Sequence, residues 1–148
     1  MAGLKFDQVN IVVPDVLGAT AFLRGLGADV AETPPDWADW AAHHVAFPAS
    51  QEGFDAELDS SAFAAHWGGL PQGFAGVVVT LRAEDRDAVD TTFQRAVELG
   101  AETLRSPYDA FCGARYALVR GPGPLAVGIM SPIDDDRRAE SPSISDFT

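Results

Sequence analysis

The feature that most constrains what this chain can fold into is that its second half repeats its first. Phe74-Ala75-Gly76-Val77-Val78-Val79 echoes Phe6-Asp7-Gln8-Val9-Asn10-Ile11, and Leu99-Gly100-Ala101-Glu102 echoes Leu26-Gly27-Ala28-Asp29. A helical pattern separates the two echoes in each half. An offset of about seventy residues is too long for a solenoid unit and suits a duplicated half-domain. At 148 residues, 47% of them hydrophobic, the chain can bury one good core and not two ordinary ones. The expectation is one domain over residues 1–132, made of modules at about 4–70 and 74–132.

Each module reads βαβββ. Phe6 to Val13 is a strand whose alternation puts Gln8, Asn10 and Val12 on one face. Asp15 caps a helix over Val16 to Leu26 whose apolar stripe is Val16, Ala19, Leu23 and Leu26, widened by Phe22. Short strands are expected at Ala28 to Glu32, His43 to Phe47 and Phe54 to Leu58, with helical turns at Ser60 to His66 and a Gly/Pro linker from Gly68 to Gly73. In the second module Asp85 caps Arg86 to Leu99, with Val89, Phe93, Ala96 and Leu99 as its stripe. The chain then makes a hairpin of Ala114 to Val119 and Leu125 to Met130, joined through Gly121-Pro122-Gly123-Pro124. Ile133 to Thr148 is charged and Ser-rich and reads as a flexible tail.

Cys112-Gly113-Ala114-Arg115-Tyr116, the turn at Gly121 to Pro124, Phe54-Asp55-Ala56-Glu57-Leu58-Asp59-Ser60 and Asp87-Ala88-Val89-Asp90-Thr91-Thr92-Phe93 resemble segments of the vicinal oxygen chelate superfamily of glyoxalases, bleomycin-resistance proteins and extradiol dioxygenases. The likeness runs from about Leu4 to Pro132. It implies an α+β fold in which two βαβββ modules form one curled mixed sheet, a cup around a ligand. Enzymes of the group hold a divalent metal with four inward-facing side chains. By the resemblance these places fall on Gln8, on Glu57, on Gly76 through the Phe6/Phe74 echo, and on Gly128. Two glycines cannot donate, and an amide is a weak donor for such metals. The expectation is therefore no metal and no cofactor. Cys112 stands where relatives carry tryptophan, which favours packing over nucleophilic duty.

The expected site is the cup itself: Gln8, Asn10 and Glu57 inside, with Arg115 or its neighbour Tyr116 nearby, and Trp37, Trp40, Tyr108 and Phe111 at the rim. Loop aromatics are costly to expose and stack on planar or cationic ligands. His43 and His44 alternate to opposite faces and, with His66, are expected to be structural or at the surface. The leading functional expectation is a metal-free small-molecule binder of the kind that sequesters an antibiotic or natural product. The alternative is a lyase, isomerase or dioxygenase-like enzyme with a degenerate or absent metal site. Glu57 in an apolar cup would be the acid/base group of such an enzyme, although no second catalytic group is evident in the sequence.

A formal charge of -12 repels phosphate backbones and anionic lipid, so neither nucleic acid nor a membrane is an expected partner. The single Cys112 excludes an intrachain disulfide within this sequence. With no leader-like or membrane-spanning pattern, a cytoplasmic protein is expected. A homodimer is expected because the duplicated fold leaves sheet edges and apolar helix faces that relatives cover with a second subunit.

Overall fold

The computed structural model describes residues 3–47, 55–122 and 125–148. The first module supplies β1 (Lys5–Val13), α1 (Val16–Gly25), β2 (His44–Ala46), β3 (Asp55–Ser60) and α2 (Ser61–Gly68). The second supplies β4 (Gly76–Arg82), α3 (Arg86–Glu98), β5 (Glu102–Asp109), β6 (Arg115–Arg120) and β7 (Ala126–Met130). The seven strands form one mixed sheet in the order β2-β3-β1-β4-β7-β6-β5. In each module the first strand pairs in parallel with the last, β1 with β3 and β4 with β7, and the two modules join where β1 runs antiparallel to β4. The duplicated, curled α+β sheet is the one the sequence led to expect.

Local chemistry accounts for the element ends. Asp15 accepts from Gly18 N at 2.9 Å, Ser60 from Phe63 N at 3.1 Å and Asp85 from Ala88 N at 2.8 Å, each capping amides that would otherwise lack partners. The convex face of the sheet is covered by α1 over Val16, Val30, Val45 and Leu58, and by α3 over Ala83, Val89, Ala117 and Ile129. A third cluster, including Val12, Val78, Tyr116 and Leu118, fills one end of the concave face beneath α2. The other end stays open.

Some sequence expectations are corrected. No strand forms at Ala28 to Glu32, because the Arg24 side chain takes the carbonyls of Val30 (3.4 Å) and Ala31 (2.9 Å) and ties the segment back to α1. Leu26 and Leu99 do not complete buried stripes: both lie just past the last helical turn, at 70% and 71% exposure. Phe54, Gly123 and Pro124, which belong to an expected strand and turn, lie outside the described residues.

The C-terminal segment also differs from a free tail. Asp134 N donates to Gly113 O at 3.2 Å, and Ala139 N donates to Phe111 O at 3.0 Å. Gly113 has φ 94°, and a Cβ there would collide with Asp134 O, so only glycine lets the segment approach so closely. Phe147 then packs its ring against Trp40, His43, Phe63 and His66 at 5.3–5.5 Å between centroids. An aromatic anchor in an otherwise polar stretch is enough to hold it down. Among the described residues no helix is long and apolar enough to cross a membrane.

Candidate functional site

The open end of the concave face is a cavity of about 900 Å³. Its floor comes from three adjacent strands. Register places Asn10 beside Glu57, and Asp59 beside His44 and Val12, so alternate residues of β1, β3 and β2 point the same way. Gln8 Nε2 donates to Asn10 Oδ1 and to Glu57 Oε2, both at 2.9 Å. Asn10 Nδ2 donates to Glu57 Oε2 at 2.9 Å and to Asp59 Oδ2 at 2.7 Å. His44 Nδ1 lies 2.6 Å from Asp59 Oδ1. Asp59 is fully buried.

Two carboxyl groups therefore sit in the floor beside one imidazole, Asp59 buried and Glu57 half-buried. Burial pushes Glu57 up from 4.5 to about 7; the charge of His44 and the Asn10 hydrogen bond pull it down, while Asp59 and Asp55 add to the rise. For His44 burial by itself favours the neutral ring, but the hydrogen bond and charge of Asp59, joined by Glu57, outweigh it and raise the pKa. One atom from each of His44, Glu57 and Asp59 falls within 4.8 Å of the other two. They are close enough to share a cation or pass a proton.

The four-ligand metal set implied by the resemblance does not fit these residues. Gln8 spends its amide N–H groups on Asn10 and Glu57, which ties its side chain into the floor network. Counted back from the helix caps Asp15 and Asp85, the residue matching Gln8 is Val78, two positions on from Gly76 and equally without a donor. Gly128 lies beside Thr80 on β4 and Leu118 on β6. A Cβ there would fall 2.6 Å from Thr80 Oγ1 and closer still to Tyr116 Oη. The space a fourth ligand would need is thus filled by two hydroxyls, neither of which completes a hydrogen bond among the described residues. Burial pushes the Tyr116 phenol well above its ordinary value, so it stays protonated.

The rim is aromatic, and Trp37, Trp40, Tyr108 and Phe111 all line the cavity. The 3-10 turn Pro35–Trp40 presents both tryptophans. Tyr108 donates its hydroxyl to Trp67 O at 2.8 Å, and burial raises its pKa to about 12. Arg115 is a correction. It lies outside the cavity and grips Asp90 of α3 with Nε and Nη2, both at 2.7 Å, and Asp109 with Nη1 at 3.1 Å. The reason is alternation: its neighbour Tyr116 faces the cup, so Arg115 faces the helix. The cation at the cavity is instead Arg105 of β5, stacked 4.2 Å over the Tyr108 ring. Glu140 and Pro142 of the C-terminal segment close one side of the mouth.

Sequence reasoning missed His44, Asp59 and Arg105. The first two had a signal. Asp55, Glu57 and Asp59 alternate along one strand, so two further acids share a face with the expected site residue. Of adjacent His43 and His44, one had to face the cup; His43 turns away to Ser60 Oγ at 2.9 Å.

Comparison with known proteins agrees with this architecture. No curated protein matches the chain. A chain described as NAD-dependent benzaldehyde dehydrogenase of Legionella pneumophila superposes with TM-score 0.58 at 12% identity, over 84% of this chain and 96% of its own. The Mn(II)-bound glyoxalase of Novosphingobium aromaticivorans gives TM-score 0.55 at 15% identity, over 87% of this chain and 38% of its own. Methylmalonyl-CoA epimerase of Mycobacterium tuberculosis gives 0.55 at 16%, over 87% and 88%. At such identities these likenesses speak to fold and not to activity. A sequence profile matches residues 5–128, and by that match the chain belongs to the glyoxalase/bleomycin resistance protein/dioxygenase superfamily.

Proposed function

We propose that this protein binds a small planar ligand, neutral or cationic, in the cup, without the four-ligand metal centre. The observation that carries this reading is the pairing of an aromatic rim with a floor holding the buried Asp59 and the half-buried Glu57 against one imidazole. Rings supply stacking of about 0.5–1.5 kcal/mol per contact, and the floor disfavours an anion. Sequestration of an antibiotic or natural product is the role that suits such a binder. The test is a titration followed by tryptophan fluorescence, with ethidium as planar cation, flavone as neutral ligand and anilinonaphthalene sulfonate as anion. Ethidium and flavone should quench at least tenfold more tightly than the sulfonate, Trp40→Phe should weaken both, and Glu57→Gln should remove the preference for the cation. Elemental analysis of the dialysed protein should find no stoichiometric Mn, Fe, Ni or Zn. Anions binding best, or one equivalent of metal, would refute the reading.

A second reading, a metal-independent enzyme, is favoured by one observation: Glu57 is poised near neutrality next to a histidine. We also propose a homodimer, supported by large apolar side chains left in water, Phe6 at 76% and Phe22 at 66% exposure. Native mass spectrometry should report twice the chain mass at micromolar concentration, and a monomer would exclude it.

A further inference from the structure

We propose that Arg105 selects the ligand: its guanidinium holds a carboxylate on the wall across from the polar floor, so the compound that suits the cup is a planar zwitterion, anionic at one end and cationic at the other. The proposal rests on the cup being the ligand site and deepens that reading, from a planar neutral or cationic ligand to one with two fixed ends.

Three observations carry it. First, Arg105 has no charge partner of its own. Every other arginine has a carboxylate oxygen within 4.0 Å, and among the described residues Arg105 has none. Of the acids that line the same cavity, Asp109 is taken by Arg86 and Arg115, and Asp59 and Glu57 by the floor network. In a chain with 22 acidic residues against 10 basic ones, a half-buried arginine that meets no acid is conspicuous, because charges withdrawn from water are normally paired.

Secondly, an irregularity in the strand turns Arg105 into the cup. Arg105 and Tyr108 are three residues apart, so strict alternation would send them to opposite faces of β5. The β5–β6 register shifts between these two residues, and both line the cavity. Irregularities of this kind re-aim side chains and recur beside binding sites. Thirdly, the guanidinium is held in place. Its Cζ lies 4.2 Å from the centroid of the Tyr108 ring, and that ring is itself fixed by its hydroxyl, which donates to Trp67 O at 2.8 Å. Stacking uses the face of the guanidinium and leaves its N–H edge for an acceptor, where the planar fork matches the two oxygens of a carboxylate.

Topology sets the two ends of the ligand apart. Arg105 lies on β5, at one edge of the sheet, and Glu57 and Asp59 lie on β3, beside the other edge, with β1, β4, β7 and β6 between them. The curl of the sheet brings both walls to one cavity. A lone anion meets the acids of the floor, and a lone cation leaves the charge of Arg105 unanswered. A zwitterion satisfies both walls at once.

The test is isothermal titration calorimetry with 6-amidino-2-naphthoate, which carries a carboxylate and an amidinium on one flat ring system, and with 2-naphthamidine, which lacks the carboxylate. The zwitterion should bind at least tenfold more tightly, as a charge-assisted pair of hydrogen bonds allows. Arg105→Gln should lose at least tenfold on the zwitterion and bind 2-naphthamidine at least as well as before, whereas a merely structural role would weaken both. Arg105→Lys, which keeps a charge but not the fork, should fall between the wild-type protein and Arg105→Gln. Equal affinities of the two compounds for the wild-type protein, or a parallel loss of both in Arg105→Gln, would overturn the role of Arg105; the cup reading then stands if Trp40→Phe weakens 2-naphthamidine. If neither compound binds, or if Trp40→Phe affects neither, the cup reading falls with it.

Discussion

Glu57→Gln is expected to stabilise the protein at pH 8 and to change little at pH 4.5. Burial raises the folded-state pKa of Glu57 from 4.5 to about 7, so the folded protein resists ionising it while the unfolded chain does not. The penalty is absent below about pH 4.5, grows as pH rises to about 7, and is constant above. A shift of that size corresponds to about 3 kcal/mol, or roughly 10 °C in thermal midpoint for a chain of this length. His44 slopes the same way. Held above its ordinary value by Asp59 and Glu57, its protonated form contributes stability below about pH 6.5 that is lost as pH rises through the folded pKa. Glutamine keeps an oxygen for Gln8 and Asn10 to donate to, so the variant should lose the Glu57 slope and keep most of the His44 one. Thermal unfolding of both proteins between pH 4.5 and 8.5 checks this. A difference that does not vary with pH would show that the carboxyl is not held neutral.

The second large effect is expected at Trp40. Its ring meets Phe63 edge to face at 5.0 Å, Phe147 at 5.5 Å, Trp37 at 5.7 Å and Phe111 at 6.4 Å, joining α2, the C-terminal segment and the rim. Trp37 is 43% exposed, and its ring pairing is with Trp40. Trp40→Ala should therefore cost about 3 kcal/mol, in the range for a large aromatic removed from packed surroundings, and Trp37→Ala less than about 1. Urea unfolding gives both numbers. Limited proteolysis should cut within residues 139–148 of Trp40→Ala first, because Phe147 loses one of its ring partners. Equal losses at the two tryptophans would mean that Trp40 is no hub.

Most of the fold could be read because it rests on short-range signals repeated twice. Asp15 and Asp85 cap helices at matching places, and alternation in β1, β6 and β7 fixes which residues face inward. The missing strand at Ala28 to Glu32 could not be read, since one long side chain, Arg24, decides it from a helix away. The site was legible as far as period two carries. Gln8, Asn10 and Glu57 follow from their own strands, and the rim aromatics from their loops. Arg115 failed because it and Tyr116 are adjacent and only one can face the cup. Alternation alone could have put His44 and Asp59 on the cup face; that they meet each other depends on the β2–β3 register, which pairs separate strands. The contacts of the C-terminal segment could not be read from bulk polarity, since they centre on a single phenylalanine.

The filled space at Gly128 bears on how this chain can change over generations. Placing a donor there demands a side chain where Tyr116 and Thr80 already stand, and overpacking of this kind costs typically about 1–3 kcal/mol. Opening that space first by shrinking Tyr116 leaves a void in the cluster that holds Val78 and Leu118, which is costly in its turn. A donor at Val78 alone would bury an unpartnered polar group. Each single substitution toward a donor is therefore expected to be destabilising, so the packing of Gly128 against Tyr116 and Thr80 works as a ratchet against a metal site in this half of the cup.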